Sequence, residues 1–167
     1  EDIEHFEVYN IPEGSEPKYE AVAAGMGSAL QYLNFVDVSS GEGIELENTT
    51  PTTTRFWTFD GLLVDVVIYS VSEVPESETF YAVFSVSDGS EGPEQLKTLG
   101  PEPAPLEEGE ETPARSAEEI AAEVEELNAK LSGWFFELAP FSKTNLSKRM
   151  ADLVQPIVVE EEAPAEG

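Results

Sequence analysis

The chain contains no cysteine. A disulfide framework, a zinc–thiolate site and a thiol nucleophile are therefore all excluded. It contains one histidine, His5, in a terminal stretch with no nucleophilic partner beside it that would make a catalytic group. A Ser-His-Asp arrangement and a multi-histidine metal site lose their support on that ground. Basic residues are scarce, with 8 Lys and Arg against 35 Asp and Glu and a formal net charge of −27. Binding phosphates requires Lys and Arg to neutralise them, so nucleic acid is a poor partner, and an anionic membrane surface is disfavoured for the same reason. Long apolar runs are missing as well. The longest, Leu62 to Val71, is interrupted by Asp65 and is too short to span a bilayer. No signal peptide is visible. The first residue is Glu1, which suggests a processed product, and any membrane anchor is expected outside this chain. The glycines of Gly25-Met26-Gly27 and Gly41-Glu42-Gly43 match no phosphate loop, because no Lys-Ser or Lys-Thr follows. No cofactor is expected.

What the chain does have is enough apolar material to fold. Hydrophobic residues make up 40% of it and aromatics 10%. A chain of this size is expected to bury roughly 70% of the surface that its unfolded form exposes. The excess of carboxylates has three readings: a solvated surface, adaptation to salty surroundings, or a docking surface for a basic partner or divalent cations. Glutamate greatly outnumbers aspartate, which speaks against calcium loops built on Asp, Asn and a sharp Gly turn. Paired carboxylates for glycoside hydrolysis cannot be singled out among so many.

The pattern along the chain is mixed. His5 to Ile11 alternates as a strand does. After turn residues Pro12, Gly14, Ser15 and Pro17, the spacing of Tyr19, Val22, Met26, Leu30 and Leu33 predicts a helix. Gly25 and Gly27 inside it imply close packing on that face or a bend. Phe35 to Val38 reads as a short strand and Ser39 to Pro51 as a loop. Thr54 to Phe59, Asp60-Gly61 and Leu62 to Val71 form a hairpin signal, and Thr79 to Ser87 adds a third strand of a meander. In that third strand Phe80, Ala82, Phe84 and Val86 share one face, with Tyr81 and Val83 on the other. Asp65, inside an apolar strand, suits an outward-facing or edge-blunting position.

Ser116 and Glu119 make a capping box, and Ile120, Val124, Leu127 and Leu131 then give a helix one apolar stripe. Trp134 to Leu138 is apolar on both faces, which suits a strand inside a sheet. Past Pro140, Ser142 is placed to cap another helix, Phe141 to staple onto Leu146, and Leu146, Met150 and Leu153 to form its buried stripe. The expected organisation is one α+β domain of an antiparallel sheet of about five strands with two or three helices packed on it. Residues 1–87 form its first part, 88–115 an acidic Pro- and Gly-rich loop or linker, 116–155 its C-terminal helix–strand–helix, and 156–167 an acidic disordered tail. The helix-then-strand order around Phe35 and again around Trp134 hints at an internal repeat, though two elements are too common a pair to establish one.

Two sets of residues are candidates for binding. Lys143, Lys148 and Arg149, with Lys130, form a basic island that could dock an acidic partner or phospholipid head groups, or could simply balance the acidic surface and complement a helix C-terminus. Trp57, Tyr69, Tyr81 and Trp134 could line a cleft for lipid or glycan, although core packing also explains such aromatics.

The block Gly133-Trp134-Phe135-Phe136-Glu137-Leu138, followed by Pro140-Phe141-Ser142-Lys143, Leu146, Arg149 and Asp152-Leu153, resembles the bacterial domain of unknown function numbered 4340. The stretches Leu30 to Val38 and Thr58 to Leu62 are similar to that family's earlier blocks, while Ala139 before the proline departs from its pattern. The resemblance implies a membrane-anchored envelope protein associated with ABC-transporter components of the gliding-motility type, and it carries no catalytic residue. The expected function is a non-enzymatic accessory or interaction domain, periplasmic or on the outer face of the inner membrane, with a protein partner in the envelope. A lipid- or glycan-binding module is the alternative, and the oligomeric state stays open.

Overall fold

Val, Ile, Tyr, Phe and Thr crowd the stretch from Thr52 to Val86, and branched and aromatic side chains suit a pleated surface. In the computed structural model this stretch forms three consecutive antiparallel strands, β3 (Thr52–Trp57), β4 (Leu62–Val74) and β5 (Ser77–Asp88). The structure describes residues 8–46, 49–58, 60–74, 77–89 and 115–157. Two further strands, β2 (Phe35–Ser39) and β6 (Phe135–Leu138), complete an antiparallel sheet in the order β2-β6-β5-β4-β3. The fold is α+β, as expected. The meander and the interior place of the aromatic strand β6 follow the sequence reading.

The turn between β3 and β4 passes through Gly61, whose φ of +90° suits a residue without a Cβ. The Thr58 hydroxyl accepts the Leu62 N–H at 3.0 Å, which closes the turn. One face of the sheet holds the core. Leu62, Val66 and Ile68 of β4 and Ala82, Phe84 and Val86 of β5 all lie on it and are buried. Over one end of this face packs α2 (Ala117–Leu131), whose Ile120 is buried against Leu62 and Val86, flanked by Val124, Leu127 and Leu131. The capping box is present: the Glu119 N–H donates to the Ser116 hydroxyl at 3.2 Å, and the Ser116 N–H donates to the Glu119 carboxylate at 2.8 Å. These bonds from Ser116 hold the Glu119 carboxyl below the ordinary carboxylate range. At the other end of the face, Phe136 meets Phe35 at 4.8 Å and Phe84 at 5.2 Å between ring centroids. The Phe84 contact is edge-on, a favoured arrangement for aromatic rings.

β5 is paired along its whole length to β4 but to β6 only at Tyr81 and Ala82. Farther along, its outer edge would expose peptide groups. Asn128 of α2 covers the two that Val86 presents: its amide donates to the Val86 carbonyl at 2.7 Å and accepts from the Val86 N–H at 2.9 Å. A side chain thus takes the place of a neighbouring strand. Arg115, just before α2, bridges Asp60 in the β3–β4 turn and Glu123 in the helix.

The chain divides into two compact units, residues 35–139, which hold this sheet, and residues 1–34 with 140–167. In the second unit β1 (Ser15–Pro17) pairs antiparallel with β7 (Val154–Pro156), beside α1 (Glu20–Gly27), α3 (Pro140–Leu146) and α4 (Met150–Leu153). Leu146 is fully buried at its centre.

Several local expectations fail in this unit. The helix predicted from Tyr19 to Leu33 ends at Gly27, where the Ser28 hydroxyl and N–H both bond back to the Ala24 carbonyl. Residues 8–11 are not a strand, and Asn10 there has a φ of +56°, which breaks extended chain. The single helix expected after Pro140 is two short helices. Ser142 lies inside α3 and does not cap it; its hydroxyl is buried and accepts the Asn34 N–H at 2.9 Å. Phe141 is 64% exposed, so it does not bury against Leu146 as a staple would. Of the linker expected at 88–115, residues 90–114 lie outside the described residues, while Asp88 ends β5 and Arg115 is ion-paired. Of the tail expected at 156–167, residues 158–167 lie outside them, while Pro156 ends β7 and the Ile157 N–H donates to the Gly14 carbonyl.

Replacing Asn128 by Ala removes both bonds to Val86 and should lower unfolding stability by about 1–3 kcal/mol. Asn128→Asp should be at least as harmful at neutral pH, because a carboxylate cannot donate to the Val86 carbonyl. Chemical denaturation of both variants at pH 7 checks this.

Candidate functional site

Strand side chains alternate between faces, so the residues between the core positions point the other way. On β4 and β5 these are Leu63, Asp65, Val67 and Tyr69, opposite Ser87, Ser85, Val83 and Tyr81. The apolar ones among these are half-buried, whereas their neighbours on the core face are buried. Among the described side chains on this side of β4, Val71, toward the β4–β5 turn, is the buried one. Within this unit α2 packs on the core face alone. Among the described residues of this unit, the second face therefore presents a half-buried surface whose apolar part comes from β3, β4, β5 and β6.

Its chemistry changes along the strands. At one end Trp57 of β3 lies opposite Leu63. Next comes an ion pair, with the Arg55 guanidinium 2.8 Å from the Asp65 carboxylate. The pair is cross-strand and partly exposed, worth at most about 1 kcal/mol. It places Asp65 on the outward face, as its position within an apolar strand suggested. Thr53, Val67 and Val83 form the following row. Then come Tyr69 and Tyr81, directly opposite each other, and Phe135 of β6, whose ring centroid is 6.4 Å from that of Tyr69. Beyond Tyr81 the same row continues through Glu137 of β6 to Asp37 of β2. Asp37 and Glu137 are direct cross-strand partners, and like charges in that position repel. Among the described residues neither carboxylate has a hydrogen bond or ion pair. Gly41, just after β2, lies over Phe135: a Cβ there would come within 2.5 Å of the ring.

The four aromatics named from sequence do not make one cleft. Tyr69 and Tyr81 are brought together. Trp57 shares their face, but six residues along β4 separate its partner Leu63 from Tyr69, roughly 20 Å of strand. Trp134 lies just outside β6 and is 44% exposed. Sequence reasoning passed over Phe135, Glu137 and Asp37. Phe135 was signalled by its parity in β6, opposite to Phe136. The two carboxylates were not signalled, because their meeting depends on the pairing of strands almost a hundred residues apart.

The basic island does not form a free patch. The Lys148 ammonium donates to the Val22 carbonyl at 3.0 Å and to the Asn145 amide oxygen at 2.9 Å, so it ties α1 to the segment after α3. This explains Gly25: a Cβ there would lie 2.9 Å from the Lys148 nitrogen. Lys148 and Arg149 sit in the break between α3 and α4, with Arg149 at the N-terminus of α4, so the expected complement to a helix C-terminus is not what positions Arg149. Lys143 is half-buried, and Arg149 is exposed. Lys130 pairs with Glu126 one turn back along α2 at 2.6 Å, and this bond keeps the Glu126 carboxyl below its usual range.

The described residues hold no group of three or more His, Asp or Glu side chains arranged to grip a metal ion. No protein-family model, no curated protein and no solved structure matches the chain.

Lys148→Met leaves the buried Asn145 amide and the Val22 carbonyl short of a donor and should cost about 1–3 kcal/mol of stability. Arg149→Ala should stay within about 0.5 kcal/mol of the parent. Paired thermal and denaturant melts separate the two.

Proposed function

We propose that this chain is a non-enzymatic interaction domain of an envelope protein, working outside the cytoplasmic membrane as an accessory of a transporter-like complex. Its membrane attachment would lie outside this chain. The observation that carries the binding part of the reading is the second face of the sheet. A strand face that is apolar yet half-exposed in the isolated chain suits a surface completed by another molecule. The transporter setting and the envelope location rest on the resemblance of the Gly133 to Leu153 block and its companion stretches to the family numbered 4340. The acidic surface is consistent with a soluble domain held near, but not on, anionic lipid.

A second reading has one observation in its favour. Tyr69 and Tyr81 lie opposite each other on β4 and β5, and the Phe135 ring is tilted against Tyr69 at 6.4 Å, an aromatic group of the kind that lines a sugar or lipid site. Native mass spectrometry of the purified protein would reveal a retained small ligand under that reading and none under the first.

The test is a photo-crosslinking residue placed at Val83, on the open sheet face, and separately at Glu125, on the exposed side of α2, in the full-length protein in its native membranes. The proposal predicts a discrete adduct with an inner-membrane transporter component from position 83 and not from 125. Equal patterns from both positions, or adducts with cytoplasmic proteins alone, would contradict it.

A further inference from the structure

The open face also indicates what kind of partner segment it takes, an inference that rests on the interaction reading above. Three features of the face constrain the occupant. The first is its mixed character, with apolar rows of Val67, Val83, Tyr69 and Tyr81 leading into the carboxylates of Glu137 and Asp37. The second is the balance of charge on it. Arg55 is taken up by Asp65, which leaves Asp37 and Glu137 as the uncompensated charges of the face among the described residues. Neighbouring strands lie about 4.8 Å apart, so one ammonium or guanidinium group can sit between the two carboxylates and contact both. Such a cation would turn a repulsive cross-strand pair into an attractive one. Half-buried Tyr81, next in the row, adds apolar surface beside the two carboxylates for the aliphatic stem of such a side chain.

The third feature is the charge of the whole molecule. At −27, a second copy of this chain would be repelled, and so would nucleic acid or an acidic protein. A cationic segment would be attracted from a distance and held at the acidic end of the face. We infer that the open face of the five-stranded sheet docks a basic, amphipathic segment of a protein partner, whose Lys or Arg bridges Asp37 and Glu137 while its apolar side chains cover Tyr69, Tyr81 and Val83.

The test uses the full chain and a fluorescein-labelled peptide, Lys-Val-Lys-Leu-Lys-Val-Lys, followed by fluorescence anisotropy at moderate salt. An acidic protein attracts any cationic peptide to some degree, so the comparison is between sites of equal charge change. Asp37→Asn with Glu137→Gln should weaken binding about tenfold. Glu118→Gln with Glu125→Gln, on the exposed side of α2, should weaken it less than twofold. Val83→Asp, which puts a charge in the apolar row but adds to the acidity, should also weaken binding. The Asp37→Asn, Glu137→Gln double variant should melt no lower than the parent, since it removes a like-charge pair. Equal losses from the two double variants, or tighter binding by Val83→Asp, would overturn the docking site. Should position 83 crosslink to a partner while the peptide ignores Asp37 and Glu137, the face is an interface but its occupant is not cationic. Absence of any adduct at position 83 defeats the interaction reading itself.

Discussion

The register of β4 against β5 is the constraint on which the rest of the sheet depends. Tyr69 opposite Tyr81 and Val66 opposite Phe84 fix which side chains share a face over the length of both strands. A slip by one residue would send every core side chain to the other face. That pairing sets where α2 can bury Ile120, where Phe136 meets Phe84, and which residues are left to face outward. The Asn128 amide then caps the Val86 peptide groups, on a part of β5 that β6 does not reach.

Features encoded by near neighbours were legible in the sequence. The Asp60-Gly61 turn, the alternation from Thr79 to Ser87, and the capping box at Ser116 each need only a few adjacent residues. The two-faced apolar character of residues 134–138 also pointed correctly to an interior strand. Features that depend on distant partners were not legible. Nothing near Ser142 shows that its hydroxyl serves the Asn34 N–H, and nothing near Lys148 shows that Val22 and Asn145 claim its ammonium. Read locally, both looked like surface groups, a cap and a docking residue. Gly25 did carry a usable signal. A glycine inside a helical pattern called for a close approach or a bend, and the structure shows the approach, by Lys148.

The candidate site was half legible for the same reason. Tyr69, Tyr81 and Trp57 share a face by strand parity alone. Their separation along that face, with the Arg55–Asp65 pair between, needed the register. The meeting of Asp37 with Glu137 needed the order of strands in the sheet, which places β6 between β2 and β5. The acidity that first looked like a property of the whole surface thus acquires a local meaning at one end of an apolar face. Under the proposed docking, a net charge of −27 would favour the approach of cationic molecules, and the placement of Asp37 and Glu137 would select among them.

One face of the sheet holds the core, and the proposed docking requires that the other contribute little to stability. A stability scan along β5, substituting residues 80 to 86 one at a time by Ala, or by Gly at Ala82, tests it most directly. The account predicts alternation: large losses at Phe84 and Val86, about 3–5 kcal/mol at Phe84, and much smaller ones at Tyr81, Val83 and Ser85. Losses of similar size at odd and even positions would show that both faces are core, and would contradict a binding surface there.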